Sequence, residues 1–190
     1  PYQFGMIGST DSHTGLATAD DDNFWGKFVE SQPRRNRLLS KMGGRLWENW
    51  RLTSSGYVGA WARANTREEI FAAFKRKEVY ATTGTRLQVR VFGGWSFSPE
   101  ALESTDFASV GYANGVPMGG TLDSANRPEE QGAPQMMIQA LKDPKNANID
   151  RVQVVKGWVD RQGKTFERVY NVAWSGDRQL DADGRLPAVG

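Results

Sequence analysis

The sequence contains no cysteine, which excludes disulfides, thiolate metal sites and a cysteine nucleophile. It has a single histidine, His13, so a self-contained zinc centre built on two or three imidazoles is excluded too. No apolar run approaches the length of a membrane span, and no signal-peptide pattern is visible. An excess of one charge is also missing. Lys and Arg number 24 against 22 Asp and Glu, a net +2, too little to imply a nucleic acid or an acidic membrane as partner.

What is present is a chain of 190 residues with seven tryptophans, enough to fill one good core or two small ones and too aromatic for disorder. Charge is unevenly placed: residues 1–98 carry +5 and residues 99–190 carry −3. The texture changes near position 86, and the two signals together suggest regions 1–85 and 86–190. The chain enters an apolar segment within a few residues of Pro1. The expectation is therefore a piece of a longer polypeptide, with any targeting segment upstream and a cytoplasmic or periplasmic location both compatible.

The chemistry concentrates at the front, in Phe4-Gly5-Met6-Ile7-Gly8-Ser9-Thr10-Asp11-Ser12-His13-Thr14-Gly15. An apolar run between small residues reads as a buried strand of a parallel sheet. Its polar tip follows, and in extended backbone Asp11 and His13 point to one side and Ser12 to the other. A carboxylate and an imidazole converging at a strand's end suit metal binding or acid–base work. The same triplet also serves as ordinary turn residues bonding local backbone.

Further along, Thr18 or Asp20 can cap a short helix with Asp21 and Asp22 in its first turn. The three aspartates read as capping or solvated groups before they read as ligands. Residues 33–51 are basic and interleaved with Trp47 and Trp50. They fit a surface helix with Leu38, Leu39, Met42, Leu46 and Trp50 turned inward better than a nucleic-acid surface. Thr66 to Glu69 forms a capping box opening a helix, with Ile70, Phe71 and Phe74 expected inward and Lys75-Arg76-Lys77 at its C-terminal end. The hydroxyl-rich Tyr80 to Arg86 loop follows. Thr83, Thr85 and Arg86 could line a substrate pocket, Arg86 as an anion clamp, or simply connect helix to strand.

From Leu87 the pattern turns to β, with Leu87, Val89 and Val91 alternating with polar residues. A possible strand lies near Phe107 to Tyr112, and another runs from Met136 to Leu141. Arg151 to Val159 and Thr165 to Trp174 form the clearest pair, joined by Asp160-Arg161-Gln162-Gly163 with Gly where a positive φ is wanted. Asp177 to Gly184 only faintly resembles a calcium loop and lacks its ligand set. The reading is a small antiparallel sheet or sandwich after an α/β region, α+β in class.

Several of these motifs together resemble a known group. Gly8 to His13 is similar to the last metal-ligand motif of the PHP (polymerase and histidinol phosphatase) superfamily of metal-dependent hydrolases. Thr66 to Arg76, Tyr80 to Arg86, Phe92 to Trp95, Gly115 to Gly120 and Lys156 to Asp160 resemble one bacterial branch of it, the domain of unknown function 3604. The resemblance implies that residues 1–85 are the C-terminal part of a PHP-like α/β barrel and that residues 86–190 are an attached β-rich, sandwich-like module. It implies a hydrolase of phosphate esters or of carboxyl ester or amide bonds, working through metal-activated water. Asp11 and His13 would be catalytic metal ligands in a cluster of divalent zinc, manganese or iron. Ser9, Thr10, Ser12 and Thr14 would orient them. The further ligands, including a His-x-His, would come from earlier chain, so this stretch alone would be inactive. The partners would be a small-molecule substrate and the missing N-terminal part. A reading of another class is a non-catalytic module that binds sugar or protein through Trp95, Trp158 and Trp174.

Overall fold

A computed structural model describes residues 3–15, 20, 23, 25–42, 47–52, 56–128 and 132–188. The proposed cap at Thr18, the carboxylates of Asp21 and Asp22, and Leu46 lie outside the described residues. The chain is α+β and divides into two compact units, residues 1–139 and 140–190. No barrel is closed among the described residues, and no helix among them is long and apolar enough to cross a membrane.

In the first unit, residues 3–13 form no ladder. The buried strand expected at the front is not formed: Phe4 and Met6 are each 74% exposed and Ile7 is 62% exposed. An apolar run demands a cover, and no strand among the described residues bonds this one. The segment instead rests on its glycines. A Cβ on Gly5 would meet the Lys77 side chain at 3.0 Å, and one on Gly8 would meet the Tyr57 carbonyl oxygen at 2.7 Å and the Ala81 Cβ at 2.9 Å.

Among its described residues the basic stretch forms no α-helix. It makes turns at 35–39, two short antiparallel strands, β1 (Lys41–Met42) and β2 (Trp47–Glu48), and a 3₁₀ turn at Asn49–Leu52. Leu38, Leu39 and Trp50 are exposed rather than inward. Buried Asn49 holds the region together, its amide donating to the Glu30 carbonyl at 3.0 Å and to the Ser40 hydroxyl at 2.8 Å. The glycine pair at 43–44 disfavours helix.

β3 (Val58–Ala60) pairs antiparallel with β4 (Val79–Ala81), and α1 (Arg67–Arg76) lies between them in sequence. The Thr66 hydroxyl accepts the Glu69 N–H at 3.3 Å, the forward half of the expected capping box. Lys77 closes the helix in the left-handed region at φ 62°, a common way to stop an α-helix. The inward face differs from expectation. Ala73 is fully buried, whereas Phe71 is 61% exposed beneath the Lys75 ammonium, and Phe74 is exposed.

β5 (Gln88–Gly94) is the centre strand of a sheet of three, between β6 (Gly115–Pro117), which is antiparallel to it, and β7 (Gln135–Leu141). Where a strand was expected, Phe107–Asn114 forms helix α2, capped by the Asp106 carboxylate on the Ser109 N–H at 3.2 Å. Phe92, Ala101, Phe107 and Met137 make the core, with Phe97 and Val110 against it. Gly111 is needed for this contact, because a Cβ there would lie 2.3 Å from the Phe92 ring.

The second unit is built on β8 (Arg151–Val159) and β9 (Thr165–Trp174), antiparallel with a bulge at Val152/Gln153. Gly163 takes φ 82° in the turn, as the sequence requires. Asp150 pairs with Arg151 at 2.6 Å and with Arg178 at 2.7 Å, fastening the chain after β9 to the start of β8. The Asp181 carboxylate takes the N–H groups of Asp183 and Arg185, so the tail is a local turn.

Candidate metal-ligand site

Asp11 and His13 do converge, though not by extended alternation. Asp11 sits in the left-handed region at φ 49°, which an aspartate tolerates better than most residues. This bend brings the His13 Nε2 to 3.1 Å from the Asp11 Oδ1. Both side chains are over half exposed.

The loop after them completes the arrangement. The His13 N–H donates to the Lys27 carbonyl at 2.7 Å, and the Ser12 hydroxyl reaches the Gly26 carbonyl at 3.4 Å. Phe28 packs its ring 4.4 Å from the imidazole at 56°, limiting how the ring can turn. The Lys27 ammonium pairs with the Asp11 Oδ2. The ammonium and the imidazole, in that order, lower the Asp11 pKa below the ordinary aspartate value. Sequence reasoning missed Lys27 and Phe28. The only available signal was their place in an aromatic and basic stretch shortly after the histidine.

The four hydroxyl residues fix the backbone of the tip. The Ser9 hydroxyl accepts the Asp11 N–H at 3.4 Å, and the Thr10 hydroxyl accepts the Ser12 N–H at 3.2 Å. Ser12 and Thr14 bond each other at 3.0 Å. The Tyr80–Arg86 loop begins beside the tip, with Ala81 against Gly8 and the Thr82 and Ser9 carbonyls both close to Gly56. Thr83 and Thr85 are exposed. Arg86 bonds the Gly84 carbonyl and stacks over Tyr57 at 3.9 Å. Thr82, not Thr83, is the buried hydroxyl, taking the Tyr57 N–H at 3.0 Å.

As donors, a carboxylate and an imidazole 3.1 Å apart suit a divalent cation of intermediate hardness. They form a partial set. Among the described residues no group of three or more His, Asp or Glu side chains forms that could hold an ion alone. A cation on Asp11 would share that carboxylate with Lys27 or displace it.

The family described as protein of unknown function DUF3604 matches residues 1–190. The chain belongs to the DUF3604 family. No curated protein and no solved structure matches it. In this DUF3604 chain the tryptophans of the alternative reading differ in setting. Trp158 is 41% exposed and stacked on Phe166 at 5.3 Å. Trp174 donates to the Arg178 carbonyl at 2.8 Å, and Trp95 is half-buried.

Proposed function

We propose that this chain is part of a PHP-like metal-dependent hydrolase in which Asp11 and His13 are two ligands of a divalent-metal cluster. The observation that carries the reading is their convergence at 3.1 Å on an exposed tip, the tip being pinned by backbone and hydroxyl bonds. The remaining ligands would come from a preceding part of the same protein, as the PHP resemblance implies. Two further features support that partner. Phe4, Met6 and Ile7 present an uncovered apolar face. The segment carrying them also runs beside residues 77–81 in the same direction, Gly5 by Lys77 and Gly8 by Ala81, a parallel course that a barrel strand would share.

His13 binds as neutral imidazole and is oriented by Phe28. Asp11 binds as carboxylate, kept ionised by Lys27. Lewis-acid polarisation of water and of a phosphoryl or acyl oxygen is the chemistry such a cluster supplies when bound. The test is hydrolysis of p-nitrophenyl phosphate and p-nitrophenyl acetate by the whole protein loaded with Mn²⁺, Zn²⁺ or Fe²⁺. Asp11→Ala and His13→Ala should abolish turnover with circular dichroism unchanged. Wild-type rates in both variants would remove the site, and neither turnover nor metal uptake by the intact protein would remove the reading.

The exposed Trp158–Phe166 stack, with the Lys156 ammonium 5.2 Å from the indole, favours a second reading in which the second unit binds a sugar or a protein surface. Quenching of tryptophan emission by an oligosaccharide, lost in Trp158→Ala, would support it. Equal quenching in both proteins would not.

A further inference from the structure

A cleft of about 490 Å³ in the first unit is lined by three arginines, Arg63, Arg76 and Arg90, and by a single acidic residue, Glu78. Glu78 has only 3% of its side chain exposed. It is fully engaged: Arg76 Nε donates to it at 2.7 Å, and the Tyr112 hydroxyl donates to its other oxygen. That hydroxyl in turn accepts from Arg90 Nη2 at 3.1 Å. Burial first, and then the bond to Glu78, raises the Tyr112 pKa, so the phenol remains a donor.

Arg90 itself has no ion pair among the described residues. Its guanidinium is stacked 4.3 Å from Trp61 and lies within 5.5 Å of Phe92 and Tyr112. Aromatic faces on a guanidinium fix its plane and leave the edge donors not used by the Tyr112 hydroxyl pointing away from the rings. Arg63, exposed on the rim, has no ion pair among the described residues either. Three cations and one carboxylate leave the cleft two positive charges in excess. That concentration is unfavourable without a counter-charge and attractive to an anion.

We propose that this cleft binds a small molecule through a doubly charged phosphoryl group, with Arg63 and Arg90 as the contacting residues. Guanidinium forks match a phosphoryl group in geometry as well as charge. The Arg76–Glu78–Tyr112 chain acts as the positioning frame that presents Arg90 with its plane already set, which lowers the ordering cost of binding. None of these residues belongs to the Asp11–His13 site, so the proposal stands or falls apart from the metal reading.

The probe is inorganic phosphate, followed by ³¹P line broadening with the intact protein in excess EDTA and with ionic strength held constant by chloride. Saturable broadening is expected, unchanged in Asp11→Ala. Arg63→Gln, a rim substitution that leaves the packing alone, and Arg90→Lys, which keeps charge but loses the stacked fork, should each weaken it about tenfold. Absence of saturation would overturn the proposal. So would binding as tight as wild type in both variants, or an equal loss in Arg86→Gln, a residue that does not line the cleft.

Discussion

The backbone N–H of His13 and the carbonyl of Lys27 are joined by a 2.7 Å hydrogen bond, so the imidazole and the ammonium that both reach Asp11 are held by the same staple. Lys27 therefore acts on Asp11 from a fixed position. In Lys27→Met the Asp11 carboxylate loses its larger pKa-lowering partner, and its pKa should rise toward the ordinary range. Divalent-metal affinity at the proposed site should increase, by up to about fivefold for an exposed pair. Calorimetric titration with Mn²⁺ measures it. A fall in affinity would mean that Lys27 orders the site more than it competes there.

Phe28→Ala should have the opposite effect. It removes the ring that restrains the imidazole while leaving both donor atoms in place. Metal affinity should drop, with Phe28→Leu recovering less than Phe28→Tyr. Equal affinities across the three would show that the backbone staple alone orients His13.

In the core, Phe92 is fully buried and Gly111 lies flat against it. Phe92→Ala should cost about 3–5 kcal/mol by leaving a cavity. Gly111→Ala should cost about 1–3 kcal/mol by overpacking, even though alanine favours the helix. Urea unfolding would detect both. A stabilised Gly111→Ala would mean the ring moves aside freely.

The cap at Thr66 offers a smaller and cleaner test. Thr66→Ala leaves the Glu69 N–H without its side-chain acceptor and should cost about 1 kcal/mol, with Thr66→Ser close to wild type. Thermal melts of the three would rank them. Loss of the ranking would mean that the tertiary contacts of α1 outweigh its cap.

Acid should loosen the second unit through Asp150, whose pKa is lowered first by Arg151 and then by Arg178. A carboxylate depressed in the folded state contributes stability above its unfolded pKa of about 3.9 and loses it as pH falls through the folded value. Stability should therefore decline below about pH 4, and Asp150→Asn should be weaker at neutral pH yet show less of that decline. Parallel acid titrations of the two proteins would remove this assignment.

The elements read correctly from sequence are those that local rules specify. β8 and β9 are β-rich runs around a turn with glycine where φ must be positive, and Thr66 stands one residue before a helical run. α2 reads as a strand in sequence because Phe107, Val110 and Tyr112 favour strands one residue at a time. The Asp106 cap and the Phe107–Val110–Gly111 spacing were the contrary evidence. The front segment departs from its expected strand for another reason: an apolar run announces that something should cover it, but not what or from where. In the site, the lone histidine beside an aspartate was legible. The partners Lys27 and Phe28, fourteen or more positions beyond His13, join through chain folding that no periodicity records.

The change of texture at residue 86 falls between β4 and β5, and side chains reach across it. Trp61 donates its indole N–H to the Val89 carbonyl at 2.9 Å, and Tyr112 holds Glu78. A protease nick between Gly84 and Thr85 would for that reason leave two pieces that migrate as one on a sizing column and part company only in denaturant.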